Sequence, residues 1–146
     1  LRILCDVNIL VRANEQSDGP VRRLLLTLLA NGHTLLLSGE MLVELARVLR
    51  YPRLQMLFGL SEEQIYQYVQ FLREVSELVS PDATLPVPIR DPKDIVVLQT
   101  AVCGDADVIC TLDRDFYDED TMGFCAAFGI DICDDRELAG KIARPA

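Results

Sequence analysis

Asp6, Glu44, Asp94 and Asp113 are carboxylates placed at or shortly after short apolar runs. Asp6 closes Leu1-Arg2-Ile3-Leu4-Cys5, Glu44 follows the run Thr34-Leu35-Leu36-Leu37-Ser38 by six residues, and Asp113 follows Val108-Ile109-Cys110-Thr111 by two. If those runs are strands of one parallel sheet, their carboxyl ends share a crevice, and residues distant in sequence meet there. Like charges a few ångströms apart raise one another's pKa or recruit cations. The pattern therefore reads as a cage for divalent metal, and oxygen-only ligands favour Mg²⁺ or Mn²⁺. Each acid also has an ordinary structural use: Asp6 as the cap of the following turn, Glu44 as a surface partner of Arg47, Asp94 as compensation for a helix dipole, and Asp113 as a turn residue.

The elements that must position these acids alternate in type. Pro20 at a first helical position, followed by Val21, Leu24, Leu25, Leu28 and Leu29, predicts an amphipathic helix as far as Asn31-Gly32. Thr34 to Ser38 reads as a buried strand. Met41, Leu42, Leu45, Ala46 and Leu49 then form the apolar face of a helix that carries Glu44 and stops at Tyr51-Pro52. Ser61 and Gln64 make a capping-box pattern ahead of a helix over residues 61–78. Prolines 81, 86, 88 and 92 mark an irregular crossing over the sheet, and a helix starting near Pro92 carries Asp94 in its first turn. Residues 107–111 are expected as a strand, 120–128 as a helix, 130–133 as a last strand and 134–143 as a closing helix. Strands alternating with helices imply a parallel sheet covered on both faces.

At 146 residues, half of them apolar, the chain suits a single domain over 1–146. No apolar run approaches the roughly 20 residues that span a bilayer, and the first residues read as a strand rather than a secretory leader, so no membrane association and a cytoplasmic location are expected. Cys5, Cys103, Cys110, Cys125 and Cys133 occur singly, which favours reduced thiols over disulfides or zinc. The one histidine, His33, sits in a turn-like Asn31-Gly32-His33 and receives no catalytic role. The net charge of −9 is unevenly spread. Residues 1–60 hold seven Arg against five acids, +2, whereas residues 61–146 hold seven Lys and Arg against eighteen acids, −11. Phosphate contacts are therefore expected from the first half.

Asp6-Val7-Asn8-Ile9-Leu10, Glu44-Leu45-Ala46-Arg47-Val48-Leu49, Asp91-Pro92-Lys93-Asp94 and Thr111-Leu112-Asp113-Arg114-Asp115-Phe116 stand in this order. Together they resemble the PIN-domain ribonucleases, and most of all the bacterial PIN proteins labelled toxin components of toxin–antitoxin systems. The resemblance runs from residue 2 to about residue 140. It implies an α/β fold, a three-layer α/β/α sandwich with a central parallel sheet, and a metal-dependent endoribonuclease that hydrolyses RNA phosphodiester bonds. By motif position the catalytic acids are Asp6, Glu44, Asp94 and Asp113. Asp6 is then the central metal ligand, Asp94 and Asp113 complete the cage, and Glu44 acts through water. Asp115 holds a second metal or only a water, and Asp91 competes with Asp94 for the third position. Asn8 and Ser38 match polar positions that the family keeps beside the site.

Two divalent ions roughly 3.5–4 Å apart suffice for phosphodiester hydrolysis, with no histidine or serine nucleophile, and the expected products carry 5′-phosphate and 3′-hydroxyl ends. Arg47 shares the helix face of Glu44 and is the first candidate to guide substrate phosphate, with Arg50, Arg12 and Arg53 behind it. The acid run Asp113, Asp115, Asp118, Glu119 and Asp120 opposes RNA binding unless metal or a partner shields it. The expected partners are RNA, an antitoxin protein and a second copy of the chain, the last because Tyr51, Leu54, Met56, Leu57 and Phe58 crowd one segment. The competing reading is a PIN-like binding module whose site is inhibited or degenerate. A phosphatase of the haloacid dehalogenase type needs a second acid two residues after Asp6, where Asn8 stands. A receiver domain needs a lysine following a strand, and none stands out.

Overall fold

Apolar runs bounded by caps and turn residues build a five-stranded sheet in the computed structural model, which describes residues 1–146. In chain order the elements are β1 (Arg2–Cys5), α1 (Val7–Arg12), α2 (Pro20–Ala30), β2 (Thr34–Leu37), α3 (Gly39–Leu49), α4 (Pro52–Phe58), α5 (Glu62–Val75), β3 (Ser76–Leu78), α6 (Pro92–Cys103), β4 (Val108–Cys110), α7 (Glu119–Ala127), β5 (Asp131–Cys133) and α8 (Asp135–Ile142). A single 3₁₀ turn, Arg114–Tyr117, follows β4. No helix is long and apolar enough to cross a membrane.

The strand order is β3-β2-β1-β4-β5, and every pairing is parallel. β1 is central: Ile3 lies opposite Leu35 on one side and Val108 on the other. Its residues Ile3, Leu4 and Cys5 are buried, as a strand covered on both faces requires. α3 packs on α1, α5 and α6, and α2 packs on β2 and α8, giving the three-layer sandwich. The chain runs outward from β1 through β2 to β3, then returns through α6 to β4 on the other side of β1. The β1/β4 boundary is thus a topological switch point, where the crevice of an open α/β sheet opens. Three thiols cross the sheet in register just beneath it, Cys5 opposite Cys110 and Cys110 opposite Cys133. All five cysteines are free, with Cys103 exposed and the others buried.

The expected capping box forms at α5, and a second forms at α8. Ser61 Oγ accepts the Gln64 N–H at 3.1 Å while Gln64 Oε1 accepts the Ser61 N–H at 2.9 Å, and Asp134 with Glu137 does the same for α8. The helix expected over 61–78 stops at Val75, and Ser76–Leu78 pairs with β2 as an edge strand. Three residues that include an exposed glutamate carry no alternating pattern, so only the pairing with Leu35 to Leu37 makes them a strand. The Pro52 segment is a helix and not merely the end of α3. Pro52 occupies its first turn and Gly59 its left-handed C-cap at φ 60°, but it buries no residue and so shows no periodicity. Leu54 and Phe58 lean on the core, whereas Met56 and Leu57 are exposed.

Candidate functional site

β1 hands over to α1 at Asp6. Its backbone is extended, and its Oδ1 caps α1 by accepting the Val7 N–H at 2.7 Å. Oδ2 accepts the Thr111 hydroxyl at 2.8 Å and Asn8 Nδ2 at 3.4 Å. Thr111 Oγ1 in turn accepts the Asp113 N–H at 3.0 Å, and Asn8 Oδ1 accepts the Leu112 N–H at 3.2 Å. These bonds tie the end of β1 to the end of β4 across the switch point. Burial raises the Asp6 pKa, the Thr111 and Val7 bonds lower it, the Asp113 charge raises it again, and the net direction is up.

Asp94 is as buried as Asp6, 7% against 6% exposed, but burial and negative neighbours alone set its titration and no donor offsets them. Pro92 opens α6 and Asp91 caps it by accepting the Lys93 N–H at 3.0 Å, which leaves Asp94 in the first turn facing the strand ends. Its carboxyl is pushed up to about 7, by burial first and then by the charges of Asp113, Asp6, Asp91 and Asp115. Asp113 caps the 3₁₀ turn and accepts the Asp115 N–H at 3.0 Å. Carboxylate oxygens of Asp94, Asp113 and Asp115 lie within 4.8 Å of one another.

The four acids named from sequence, Asp6, Glu44, Asp94 and Asp113, line one cleft of about 380 Å³ together with Asn8 and Lys93. Asp6 is not among the three acids whose oxygens converge; both of its oxygens accept bonds, from Val7 and Thr111, and the exposed Asp115 stands in the group with Asp94 and Asp113. Glu44 is held at the rim. Its Oε2 accepts Arg47 Nε at 3.1 Å, while Oε1 lies 3.4 Å from Lys93 Nζ and, although buried, makes no hydrogen bond. Arg50, a weaker sequence candidate, is engaged by Glu62. Ser38 is fully buried, and its hydroxyl caps α3 by accepting the Met41 N–H at 3.2 Å, so it supports the helix that bears Glu44 and has no surface to offer a substrate. His33 precedes β2, at the amino ends of the strands and away from the carboxyl ends that carry the acids.

Sequence reasoning missed Thr111 and Lys93 as parts of the site. The signal for Thr111 was its place two residues before Asp113, where a hydroxyl can bridge to the backbone of the turn. Lys93 could be matched to Glu44 only once α3 and α6 were known to pack together. The donor set suits a hard divalent cation: every group is a carboxylate oxygen, and buried Asp94 and Glu44 Oε1 have acceptor capacity left over.

Comparison with known proteins agrees with this fold. The family model described as PIN domain matches residues 2–115. None of the curated proteins matches the chain. Among solved structures, VapBC2 from Rickettsia felis, bound to a DNA fragment from their promoter, is similar over 92% of this chain and 98% of the other, with a TM-score of 0.61 at 14% identity.

Proposed function

This chain belongs to the PIN-domain family, and from that premise we propose that it is a metal-dependent endoribonuclease acting in the cytoplasm. PIN domains are generally nucleases that use divalent metal. The observation that carries the reading is the convergence of Asp94, Asp113 and Asp115 to within 4.8 Å at the switch point. These three would hold Mg²⁺ or Mn²⁺. Such an ion supplies an acidified water and charge stabilisation for in-line displacement at phosphorus. Water oxygen bonds to phosphorus, the 3′ oxygen leaves with a proton, and the products carry 5′-phosphate and 3′-hydroxyl ends.

The protein's own residues prepare that chemistry. Thr111 fixes Asp6 and the backbone of Asp113 with one hydroxyl. Asp6 fixes the start of α1 and adds negative charge beside Asp94 and Asp113. Asn8 braces the turn that carries Asp113. Glu44, held by Arg47 and Lys93, closes the cleft on the α3 side.

The likeness to VapBC2 and the resemblance to toxin components support a role as the toxin half of a toxin–antitoxin pair, with the antitoxin protein as partner. The second reading, an inhibited binding module, draws on the ion pairs that already occupy Glu44. The test compares wild type, Asp113→Asn and Asp6→Asn on a mixed RNA panel with Mn²⁺ and with chelator. Loss of about 100-fold or more is expected for Asp113→Asn and about 10–100-fold for Asp6→Asn, with the fold intact. Equal cleavage by wild type and Asp113→Asn would reject the site. No cleavage of any RNA by metal-loaded wild type would favour the binding module.

A further inference from the structure

Five of the seven arginines in the first half of the chain are committed. Arg2 pairs with Glu77, Arg47 with Glu44 and Arg50 with Glu62. Arg22 donates to the Ala13 carbonyl at 2.9 Å and Arg23 to the Asp18 carbonyl at 3.1 Å. Arg12 and Arg53 are uncommitted, but Arg12 lines a separate cleft with Arg136 beside α2 and α8, and exposed Arg53 on α4 lines neither cleft that holds the acids. A cation that must leave a carboxylate to bind phosphate gains less than one that is free.

Two free cations stand beside the acids, in the second half of the chain. Arg90 and Arg114 are exposed, neither is in an ion pair or hydrogen bond, and both line a polar cleft of about 450 Å³ with Asp91, Asp115 and Tyr117. Asp115 belongs at once to this cleft and to the group of three carboxylates, whose other members, Asp94 and Asp113, line the first cleft. The acids therefore form the ridge between two clefts, one closed by paired cations and the other bearing unpaired ones.

We infer that Arg90 and Arg114 are the substrate-positioning residues, holding an RNA phosphate next to the one that lies over the acids. This rests on the ribonuclease reading and names which phosphates that site grips. Guanidinium groups suit the task, since they present planar, bidentate donors to phosphate oxygens. The opposing charges are partly committed: Asp91 caps α6, and Asp118, also lining the cleft, caps α7. Asp115 stays repulsive until a cation shares it, so the grip strengthens when divalent metal is present.

The test is binding of a fluorescein-labelled oligouridylate whose 3′ bridging oxygens are replaced by methylene groups, so that the bond to the leaving group cannot be hydrolysed while the charge is kept, followed by anisotropy across a salt series with Mg²⁺ and with chelator. Arg90→Ala and Arg114→Ala should each weaken binding several-fold in Mg²⁺ and flatten the plot of log K against log salt by about 0.7, the value for one phosphate contact on a single strand. Arg90→Lys and Arg114→Lys should restore the slope. Arg12→Ala and Arg50→Ala should leave it unchanged. On cleavable RNA the two alanine variants should raise KM more than they lower kcat. Wild-type binding and cleavage that survive both alanine substitutions would overturn this inference and leave the ribonuclease reading standing. A wild type that neither binds nor cleaves RNA would overturn both.

Discussion

The end of β1 and the start of α6 solve the same electrostatic problem in opposite ways. Each brings one aspartate, Asp6 or Asp94, into the buried junction between strand ends. Asp6 is surrounded by donors: the Val7 N–H, the Thr111 hydroxyl and the Asn8 amide. Asp94 has none, and its carboxyl is held up to about 7. Buried carboxylates with donors are parts of the frame, while a buried carboxylate without them is stabilised by a proton or a cation. The difference separates a carboxylate whose oxygens are both taken up by donors from one whose oxygens are left without any.

The sharpest way to break the contrast is to take the donor from Asp6. Thr111→Val keeps the shape of a fully buried residue but removes the hydroxyl bonded to Asp6 and Asp113. A loss of about 2 kcal/mol in urea unfolding is expected, since one bond to a charged group disappears and a backbone N–H is left unpaired. A change within about 0.5 kcal/mol would show that Asp6 does not depend on that frame.

Asp94→Asn should act in the reverse direction. Folded Asp94 keeps its proton up to about 7, whereas an unfolded aspartate loses it near 3.8. Between those values the folded state holds more protons, so stability falls as pH rises. The asparagine variant escapes that fall. In chelator it should exceed wild type by on the order of 1 kcal/mol above pH 7, the gain growing across the window and outweighing the roughly 0.5 kcal/mol lost with a first-turn acid. Divalent metal should erase the advantage by stabilising only the wild type. A pH-independent difference in unfolding midpoint would mean that Asp94 carries no such strain.

The smallest effect tests the third kind of acid, one balanced by cations. Lys93 is half exposed and 3.4 Å from Glu44. Lys93→Met should change stability by only about 0.2–1 kcal/mol, the range for surface ion pairs. A loss well above that in thermal or urea unfolding would place the pair within the frame of the site.

The sequence carried the outline of this arrangement because Asp6 directly follows an apolar strand, Asp113 stands three residues past another and Asp94 two residues past a helix-starting proline. The ordinary structural uses of these acids are real too: Asp6 and Asp113 are caps, Asp94 is a first-turn acid, and Glu44 pairs with Arg47. Structural duty and clustering turned out to coincide rather than compete. What periodicity could not reveal was the direction of each side chain. Asp115 stands in the group of three, while Asp6 accepts a bond from Thr111, 105 residues away in sequence, and neither fact follows from spacing along the chain. β3 was illegible for a related reason, since its strand character exists only in its pairing with β2.

The row of thiols under the switch point gives this site a clock. The hydrogen bond to Cys110 and burial push the Cys133 thiol up, and burial pushes Cys125 up to about 11, so both stay neutral and poorly nucleophilic in the closed sheet. Exposed Cys103 is open to an alkylating reagent at once, whereas Cys5, Cys110 and Cys133 become open to it only when β1, β4 and β5 part. Asp6 follows Cys5 directly and Thr111 follows Cys110. The capture of Cys5, Cys110 and Cys133, followed separately from that of Cys125 on α7, therefore times the opening of the strands that hold the acids together.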